Sequence, residues 1–308
     1  MATATAPQTS RFPAPVFDLN LVPEHDRARV EAMIPDERLA QAYVHRTIRG
    51  WYDFDLLDYA VMKRSNVALA GPTGSSKTTL FRAYSAYRRL PFNVVECNGA
   101  MDPGVIIGRT SIGPDGSVSF IDGDMTLIVR YGGTNLIDEA NLAHQRITAS
   151  YHGLLSVMRA MSVPENGEVI RAGRGGMPKN GRPVIQPTLF GVAYNPKYQG
   201  TVRLNEAFGN RLPKPFKWGY DRSVEEQLPC GRSPQLLDVA YNLRSLAEIR
   251  TPVSTNMLME FVEHAVDLDM GMAEYFFVNH FNDDEEGPVS RALEAVRDQI
   301  ARELGIAA

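Results

Sequence analysis

The chain has 308 residues, of which 44% are hydrophobic and 22% are charged, and its formal net charge is −4. This composition is ordinary for a soluble globular protein with one large core or two smaller ones. The negative charge gives no global reason to expect nucleic-acid binding.

The two cysteines, Cys97 and Cys230, are too few for a disulfide framework and lack the spacing of metal ligands. The sequence contains no apolar run that could span a bilayer and no basic-then-apolar signal segment. We therefore expect a cytoplasmic protein in a reducing compartment, without a membrane partner.

The first residues, MATATAPQTSRFPAP, are small, polar and interrupted by proline, which predicts a flexible arm over residues 1–35. From Pro35 to Arg64, apolar residues recur at steps of mostly three to five, which predicts a pair of helices packed on the core. Tyr43 and His45 in this segment could alternatively lie near a bound adenine.

Residues 66–82 read NVALAGPTGSSKTTLFR and dominate the interpretation. An apolar strand leads through a Gly-rich turn into a helix, and backbone N–H groups at such a helix N-terminus bind anions. Lys77 would reach the β- and γ-phosphates of a nucleotide, and the Thr78 hydroxyl would bind Mg²⁺. The predicted nucleotide-binding residues are Gly71, Pro72, Thr73, Gly74, Ser75, Ser76, Lys77, Thr78 and Thr79.

Ser76 is the one departure from the pattern G-x-x-x-x-G-K-[ST], which has glycine at that position. Glycine keeps the backbone permissive there, whereas serine adds a small Cβ but leaves Lys77 and Thr78 in register. The alternative interpretation is an ordinary strand–turn–helix with a surface lysine.

A second buried strand is predicted from Phe92 to Cys97, followed by a Gly- and Asp-rich insert in which Val118 and Phe120 alternate as in a hairpin. The segment GGTNLIDEAN, residues 132–141, then predicts a strand that ends in Asp138 and Glu139.

Ligands of open parallel sheets bind beyond the carboxyl ends of the strands, which would place both acids beside the phosphates. Asp138 would hold Mg²⁺ and Glu139 would polarise the attacking water. The alternative is an acid pair that caps the next helix.

Residues 143–161 predict a helix, and the following Gly- and Pro-rich segment predicts a basic hairpin or loop over residues 166–186. That loop could contact nucleic acid, although four charges on a loop are more often simply solvated.

A further buried strand is predicted from Thr188 to Tyr194, and the amide of Asn195 at its end could bind the γ-phosphate or the attacking water. The alternative is a turn-forming Asn before Pro196. Arg211 could act on the phosphates of a neighbouring subunit, or it could be a surface arginine. Past Asp221 helical periodicity dominates, with predicted helices at 235–246, 255–268 and 289–304.

The ordered set of these motifs resembles an AAA+ ATPase of the MoxR type, similar to CbbQ/NirQ activators and to the ATPase subunit of cobalt chelatase. GPTGSSKT resembles the Walker A motif, LIDEAN the Walker B motif, and VAYNPKYQG the sensor-1 strand with Asn195. Arg211 falls where the family carries its arginine finger. In VSTNMLMEF, which resembles the sensor-2 helix, Asn256 stands where the family has arginine, and Arg250 or Arg232 could substitute.

The resemblance implies an α/β fold: an AAA+ P-loop three-layer αβα core with a parallel sheet over residues 36–221, and a small all-helical lid domain over residues 222–308. It implies ATP and Mg²⁺ as cofactors, with Glu139, Asn195 and Arg211 catalytic and Thr78 and Asp138 binding the metal. It also implies a hexameric ring that hydrolyses ATP to remodel or activate a protein client, which could carry a von Willebrand A-type domain, in a chaperone-like maturation or metal-insertion role.

Two other functions stay open. Helicases of the same clade share the hairpin insert, so the chain could be a nucleic-acid-stimulated motor. Because Asn256 cannot supply the charge of an arginine, the chain could also be a weakly hydrolysing, nucleotide-locked ring or scaffold.

Overall fold

The computed structural model describes residues 10–97, 103–112, 114–143, 151–196 and 209–307. These residues divide into two compact units. The core unit contains 10–71 and 76–218, and the C-terminal unit contains 72–75 and 219–307.

The core unit is built on a parallel β-sheet with accessory hairpins. Its strands are β1 (Thr47–Ile48), β2 (Trp51–Tyr52), β3 (Val67–Ala70), β4 (Phe92–Glu96), β5 (Gly108–Ile112), β6 (Val118–Asp122), β7 (Gly133–Asp138), β8 (Ala160–Val163), β9 (Glu168–Arg171), β10 (Thr188–Tyr194) and β11 (Phe216–Lys217). The main sheet has five parallel strands in the order β11-β3-β10-β7-β4. Strands β7 and β10 are buried along almost their whole length, as parallel strands covered on both faces are.

Helices cover both faces of this sheet. The helices of the core unit are α1 (Glu24–Ala32), α2 (Arg38–Gln41), α3 (Asp53–Lys63), α4 (Lys77–Arg88), α5 (Pro103–Ile107) and α6 (Asp124–Tyr131). Successive side chains of β7 alternate between the two faces. Leu136 packs in one apolar cluster with Phe81 of α4, and Ile137 packs in another with Met125 of α6. The core is therefore a three-layer αβα sandwich.

The C-terminal unit is helical over residues 219–307. Its helices are α7 (Arg222–Glu225), α8 (Pro234–Ser245), α9 (Thr255–Asp267), α10 (Met270–Val278), α11 (Asp283–Glu294) and α12 (Arg297–Leu304). Leu237, Leu258 and Phe261 are buried in its own apolar core. The predicted fold class, an αβα core with a parallel sheet followed by a small all-helical domain, is confirmed.

The predicted flexible arm over residues 1–35 is wrong where the structure describes it. A 3-10 turn is followed by α1, and Val22 and Val30 are buried in a small apolar cluster with Leu127 and Tyr131 of α6. The few apolar side chains of this charged segment pack against α6, a helix about a hundred residues later in the chain. Composition alone therefore could not predict that the segment is ordered. The first nine residues lie outside the described part.

Two helix predictions also need correction. Between α2 and α3, strands β1 and β2 form an antiparallel hairpin, whose turn contains Arg49 and Gly50 at positive φ of 50° and 82°. The predicted helix from 289 to 304 is two helices, since α11 ends before Ala295 and α12 begins at Arg297. Apolar spacing alone fixes neither a tight turn nor a short break between amphipathic helices.

Three other predictions concern the segments around the sheet. The insert contains the predicted hairpin, in which β5 pairs with β6. A second hairpin, β8–β9, overlaps the end of the predicted helix at 143–161 and the start of the basic segment at 166–186. Residues 151–155 are helical as predicted, whereas 144–150 lie outside the described part.

Helix α4 is tied to α3 by a buried ion pair. Asp58 of α3 accepts hydrogen bonds from Arg88, whose Nε lies 3.0 Å away, and from the Tyr84 hydroxyl at 2.9 Å. The Asp58 side chain is fully buried and the Arg88 side chain is 10% exposed. This pair fixes the helix that starts at Lys77.

We expect Asp58→Ala to lower the free energy of unfolding by about 3–5 kcal/mol, because it leaves the Arg88 charge without its buried partner. Urea unfolding followed by circular dichroism measures the change. Glu37→Ala, at an exposed position of the same unit, is the control and should stay within about 0.5 kcal/mol. Equal stability of the two variants would contradict the structural role given to this pair.

Candidate nucleotide site

The loop between β3 and α4 has the conformation of an anion-binding turn. Its start is fixed by the Gly71 N–H, which donates to the Tyr194 carbonyl at 3.1 Å, and its end by Ser76, the N-cap of α4. Gly74 and Ser76 both have positive φ, of 69° and 66°. Ser76 thus adopts the left-handed conformation that glycine adopts more easily, and Lys77 and Thr78 keep their places at the helix start.

Gly71 is held against the end of β11. Trp218 donates its backbone N–H to the Ala70 carbonyl at 2.8 Å. A Cβ built on Gly71 would lie 1.7 Å from the Trp218 carbonyl oxygen. A side chain at this position would push the loop away from the sheet, so glycine is required by close backbone packing.

Lys77 is the first residue of α4 and is buried. Its ammonium donates to the Gly71 carbonyl at 3.0 Å. Burial lowers the pKa of Lys77, the carboxylates of Asp138 and Glu139 oppose that shift, and the positive charge of Arg46 adds to it. The predicted phosphate-binding lysine and the two predicted acids therefore share one site.

Thr78 and Asp138 are in direct contact. The Thr78 hydroxyl donates to Oδ2 of Asp138, the last residue of β7. Oxygen donors of this kind suit Mg²⁺, which binds through one or two protein groups and otherwise keeps waters and substrate phosphates. In the described part of the chain no group of three or more His, Cys, Asp or Glu residues forms a metal cage. The two oxygens therefore fit a nucleotide-bound Mg²⁺ rather than a site built from protein ligands alone.

Glu139 and Asn195 follow neighbouring strands at the same edge of the sheet. Glu139 is exposed, and it has a positive φ of 51°. Its N–H donates to Oδ1 of Asp138 at 2.9 Å. Asn195 comes directly after β10, and its carbonyl accepts from the Asn141 side chain at 3.3 Å. Side chains placed at this edge can act on a ligand bound at the loop.

Arg211 is exposed and lies in the short segment before β11. The pKa of His152 is lowered by burial and by the positive charge of Arg211. The predicted role of Arg211 at the site of a neighbouring subunit needs a second copy of the chain, so that role stays a prediction.

Within the C-terminal unit, the tip of the loop contacts the segments before α7 and α9. The Tyr220 hydroxyl donates to the Thr73 carbonyl at 2.8 Å. A Cβ on Gly74 would lie 2.6 Å from that of Ser254, which caps α9 through the Met257 N–H. Asn256, the predicted sensor-2 position, is exposed in the first turn of α9.

The two arginines suggested as substitutes for a sensor-2 arginine have other contacts inside the C-terminal unit. Arg250 forms an ion pair with Asp284 of α11. Arg232 donates to the Leu304 carbonyl of α12 at 3.0 Å.

Sequence reasoning missed Arg46 and Trp218. Both are buried, and the Arg46 guanidinium carbon lies 4.5 Å from the centroid of the Trp218 ring. Neither residue belongs to a recognisable motif. They are far apart in the sequence and come together only when β11 pairs with β3. The signal available in the sequence was limited to an arginine next to the adenine candidates Tyr43 and His45.

A comparison with known protein families finds a match to part of the core unit. Residues 66–212 match the AAA domain of the dynein-related subfamily. This region of the chain is similar to that family. The matched region spans the sheet strands β3, β4, β7 and β10 together with the loop, Asp138, Glu139, Asn195 and Arg211.

Relatives share mainly this region. The uncharacterized protein YojN of Bacillus subtilis is 35% identical over 158 residues, which are 50% of this chain and 47% of that protein. The uncharacterized protein SH1500 of Staphylococcus haemolyticus is 34% identical over 153 residues, 48% of this chain and 53% of that protein. The chain thus matches about half the length of these relatives.

A solved structure from Cytophaga hutchinsonii aligns with 91% of this chain and 93% of its own, at 13% identity and a TM-score of 0.42. A likeness at this level supports no functional argument. Among the described residues, no helix has the length and apolar character needed to cross a membrane.

We expect Lys77→Ala to abolish measurable ATP binding, because the loop loses the ammonium of its only lysine. Titration with a fluorescent ATP analogue measures the affinity. Lys63→Ala, at an exposed position on α3, is the matched control and should bind as the unmodified protein does. Retained affinity in Lys77→Ala would contradict the assignment of the loop.

Proposed function

We propose that this chain is a Mg²⁺-dependent ATPase that works as a homo-oligomeric ring and remodels or activates a protein client. The observation that carries the proposal is the contact between the Thr78 hydroxyl and the Asp138 carboxylate. It supports the proposal because both oxygens belong to predicted metal-binding residues, and Thr78 follows the buried Lys77 at the N-terminus of α4.

In this proposal the loop N–H groups and Lys77 hold the triphosphate, and Thr78 and Asp138 hold Mg²⁺. A bound Mg²⁺ would neutralise part of the phosphate charge. The remaining catalysis is positioning and charge stabilisation, because phosphoryl transfer passes through a loose transition state.

Glu139 and Asn195 would act on the attacking water. The Glu139 carboxylate accepts the proton of a water whose oxygen bonds to the γ-phosphorus, while the bond from that phosphorus to the β-γ bridging oxygen breaks and ADP leaves. The Asn195 side-chain amide would orient this water or the γ-phosphate. The left-handed backbone at Glu139 supports this role, since such strain is often found at functional sites.

Arg211 would complete the site of the neighbouring subunit. Its exposure in the AAA+ domain supports this role, because an exposed guanidinium can reach a phosphate on another chain. An arginine supplied in this way contributes about 10³–10⁵ in rate in systems where it has been measured. Hydrolysis would then require assembly, for which we propose a hexamer.

The MoxR-type resemblance of the motifs supports a protein client, such as a protein with a von Willebrand A-type domain. A chaperone-like role in maturation or metal insertion follows from that resemblance.

Mixing two inactive variants tests the arrangement in trans. Lys77→Ala lacks the nucleotide loop cation and Arg211→Ala lacks the finger, so each alone should release no phosphate above background. An equal mixture should regain part of the activity, because an intact loop then meets an intact Arg211 across some interfaces. A mixture as inactive as its components, in assemblies shown to exchange subunits, would refute a finger supplied by the neighbour.

Glu139→Gln should bind ATP with near-normal affinity and lose turnover, since the amide cannot accept the proton. Capture of proteins by this ATP-bound variant, with Lys77→Ala as the control, identifies the client.

Salt-sensitive stimulation of the unmodified ATPase by DNA would favour the nucleic-acid motor instead. Absence of phosphate release from the unmodified protein, with no change in Glu139→Gln, would favour a nucleotide-locked ring.

A further inference from the structure

Arg46 and Trp218 form a buried pair beside the nucleotide loop. Their residues are 6% and 2% exposed, and the Arg46 guanidinium carbon lies 4.5 Å from the centroid of the indole ring. A guanidinium over an indole is a favourable cation–π arrangement, and it holds the plane of the side chain in one orientation.

The backbone contacts of Trp218 determine where this pair lies. Its N–H donates to the Ala70 carbonyl, and its own carbonyl oxygen fills the space where a side chain of Gly71 would be. The indole therefore belongs to the residue that contacts the first residue of the phosphate-binding loop.

The backbone of Arg46 is held by Asp53. Its N–H donates to Oδ2 of Asp53 at 2.9 Å, and its carbonyl accepts from the Asp53 N–H at 3.1 Å. Asp53 in turn accepts from the Tyr43 hydroxyl at 2.7 Å. The backbone of Arg46 is thus fixed by a buried carboxylate, which supports a defined position for its guanidinium.

Arg46 and Lys77 are connected through Gly71. The Lys77 ammonium donates to the Gly71 carbonyl at 3.0 Å, and Trp218, whose ring carries the Arg46 guanidinium, packs against the same glycine. Two cations near one loop repel one another, and a polyanion bound at the loop would attract both.

Trp218 gives a second, independent indication of a ligand. Its indole Nε1 is buried and has no hydrogen-bond acceptor among the described residues. Buried donors of this kind almost always have a partner, because a missing partner is energetically unfavourable. A ligand rich in acceptor oxygens would supply one.

We propose that Arg46 and Trp218 are nucleotide-binding residues: the guanidinium and the indole N–H contact the phosphate chain of ATP in the same subunit. The inference rests on the proposed binding of ATP at the loop. With this role, Arg46 supplies a second cation to the nucleotide bound by Lys77 of the same subunit. The predicted sensor-2 position of the chain holds the neutral Asn256 instead of an arginine.

Tryptophan fluorescence tests the location directly, because Trp51 and Trp218 are the two tryptophans of the chain. In a Trp51→Phe variant the emission comes from Trp218. We expect Mg·ATP and inorganic tripolyphosphate to change this emission, and adenosine to leave it unchanged. The converse variant, Trp218→Phe, keeps Trp51 as the reporter and should show no comparable change.

Arg46→Gln tests the guanidinium. We expect its affinity for ATP and tripolyphosphate to fall by about tenfold to a hundredfold, as for the loss of a charge-assisted hydrogen bond. Arg46→Lys should regain part of that loss. Arg49→Gln removes the same charge from an exposed position three residues later and is the matched control, expected to bind normally.

The outcomes separate the inference from the function on which it rests. If the unmodified protein binds no ATP by calorimetry, the proposed function fails. If it binds ATP while Trp218 emission stays constant and folded Arg46→Gln binds equally well, the inference alone fails. If Arg46→Gln loses thermal stability but keeps its affinity for tripolyphosphate, the pair is structural and the inference is wrong. A response to adenosine but not to tripolyphosphate would also overturn it, since the pair would then contact the base.

Discussion

The hydrogen bond between Thr78 and Asp138 is the interaction on which the rest of the site depends. Thr78 is the second residue of α4, which follows β3, and Asp138 ends β7; in the sheet β10 lies between β3 and β7. The parallel registers of β10 with β3 and β7 bring the three carboxyl ends to one edge. Since side chains alternate along a strand, a slip of one residue in either pairing would turn Asp138 to the opposite face.

Backbone strain is concentrated around this contact. Ser76, just before α4, and Glu139, just after β7, both have left-handed conformations. Each such conformation costs about 1–3 kcal/mol and persists because the packing around it leaves no alternative. The apolar clusters on the two faces of the sheet supply that packing, so the stability of the αβα core maintains the shape of the loop.

The tip of the loop belongs to the C-terminal unit. Thr73 and Gly74 contact Tyr220 and Ser254, and Ser254 caps the helix that carries Asn256. The loop tip and the start of α9 are therefore held together within the C-terminal unit.

The sequence by itself determined the buried strands β3, β4, β7 and β10, the loop and the order of the site residues. Their signals are local: buried runs such as Thr188–Tyr194, and the spacing from Gly71 to Thr78. Only the tertiary structure decided that α1 is ordered by α6, that a hairpin separates α2 from α3, and that Arg46 meets Trp218 beside the loop. These features depend on contacts between residues far apart in the chain, and no local period or motif encodes such contacts.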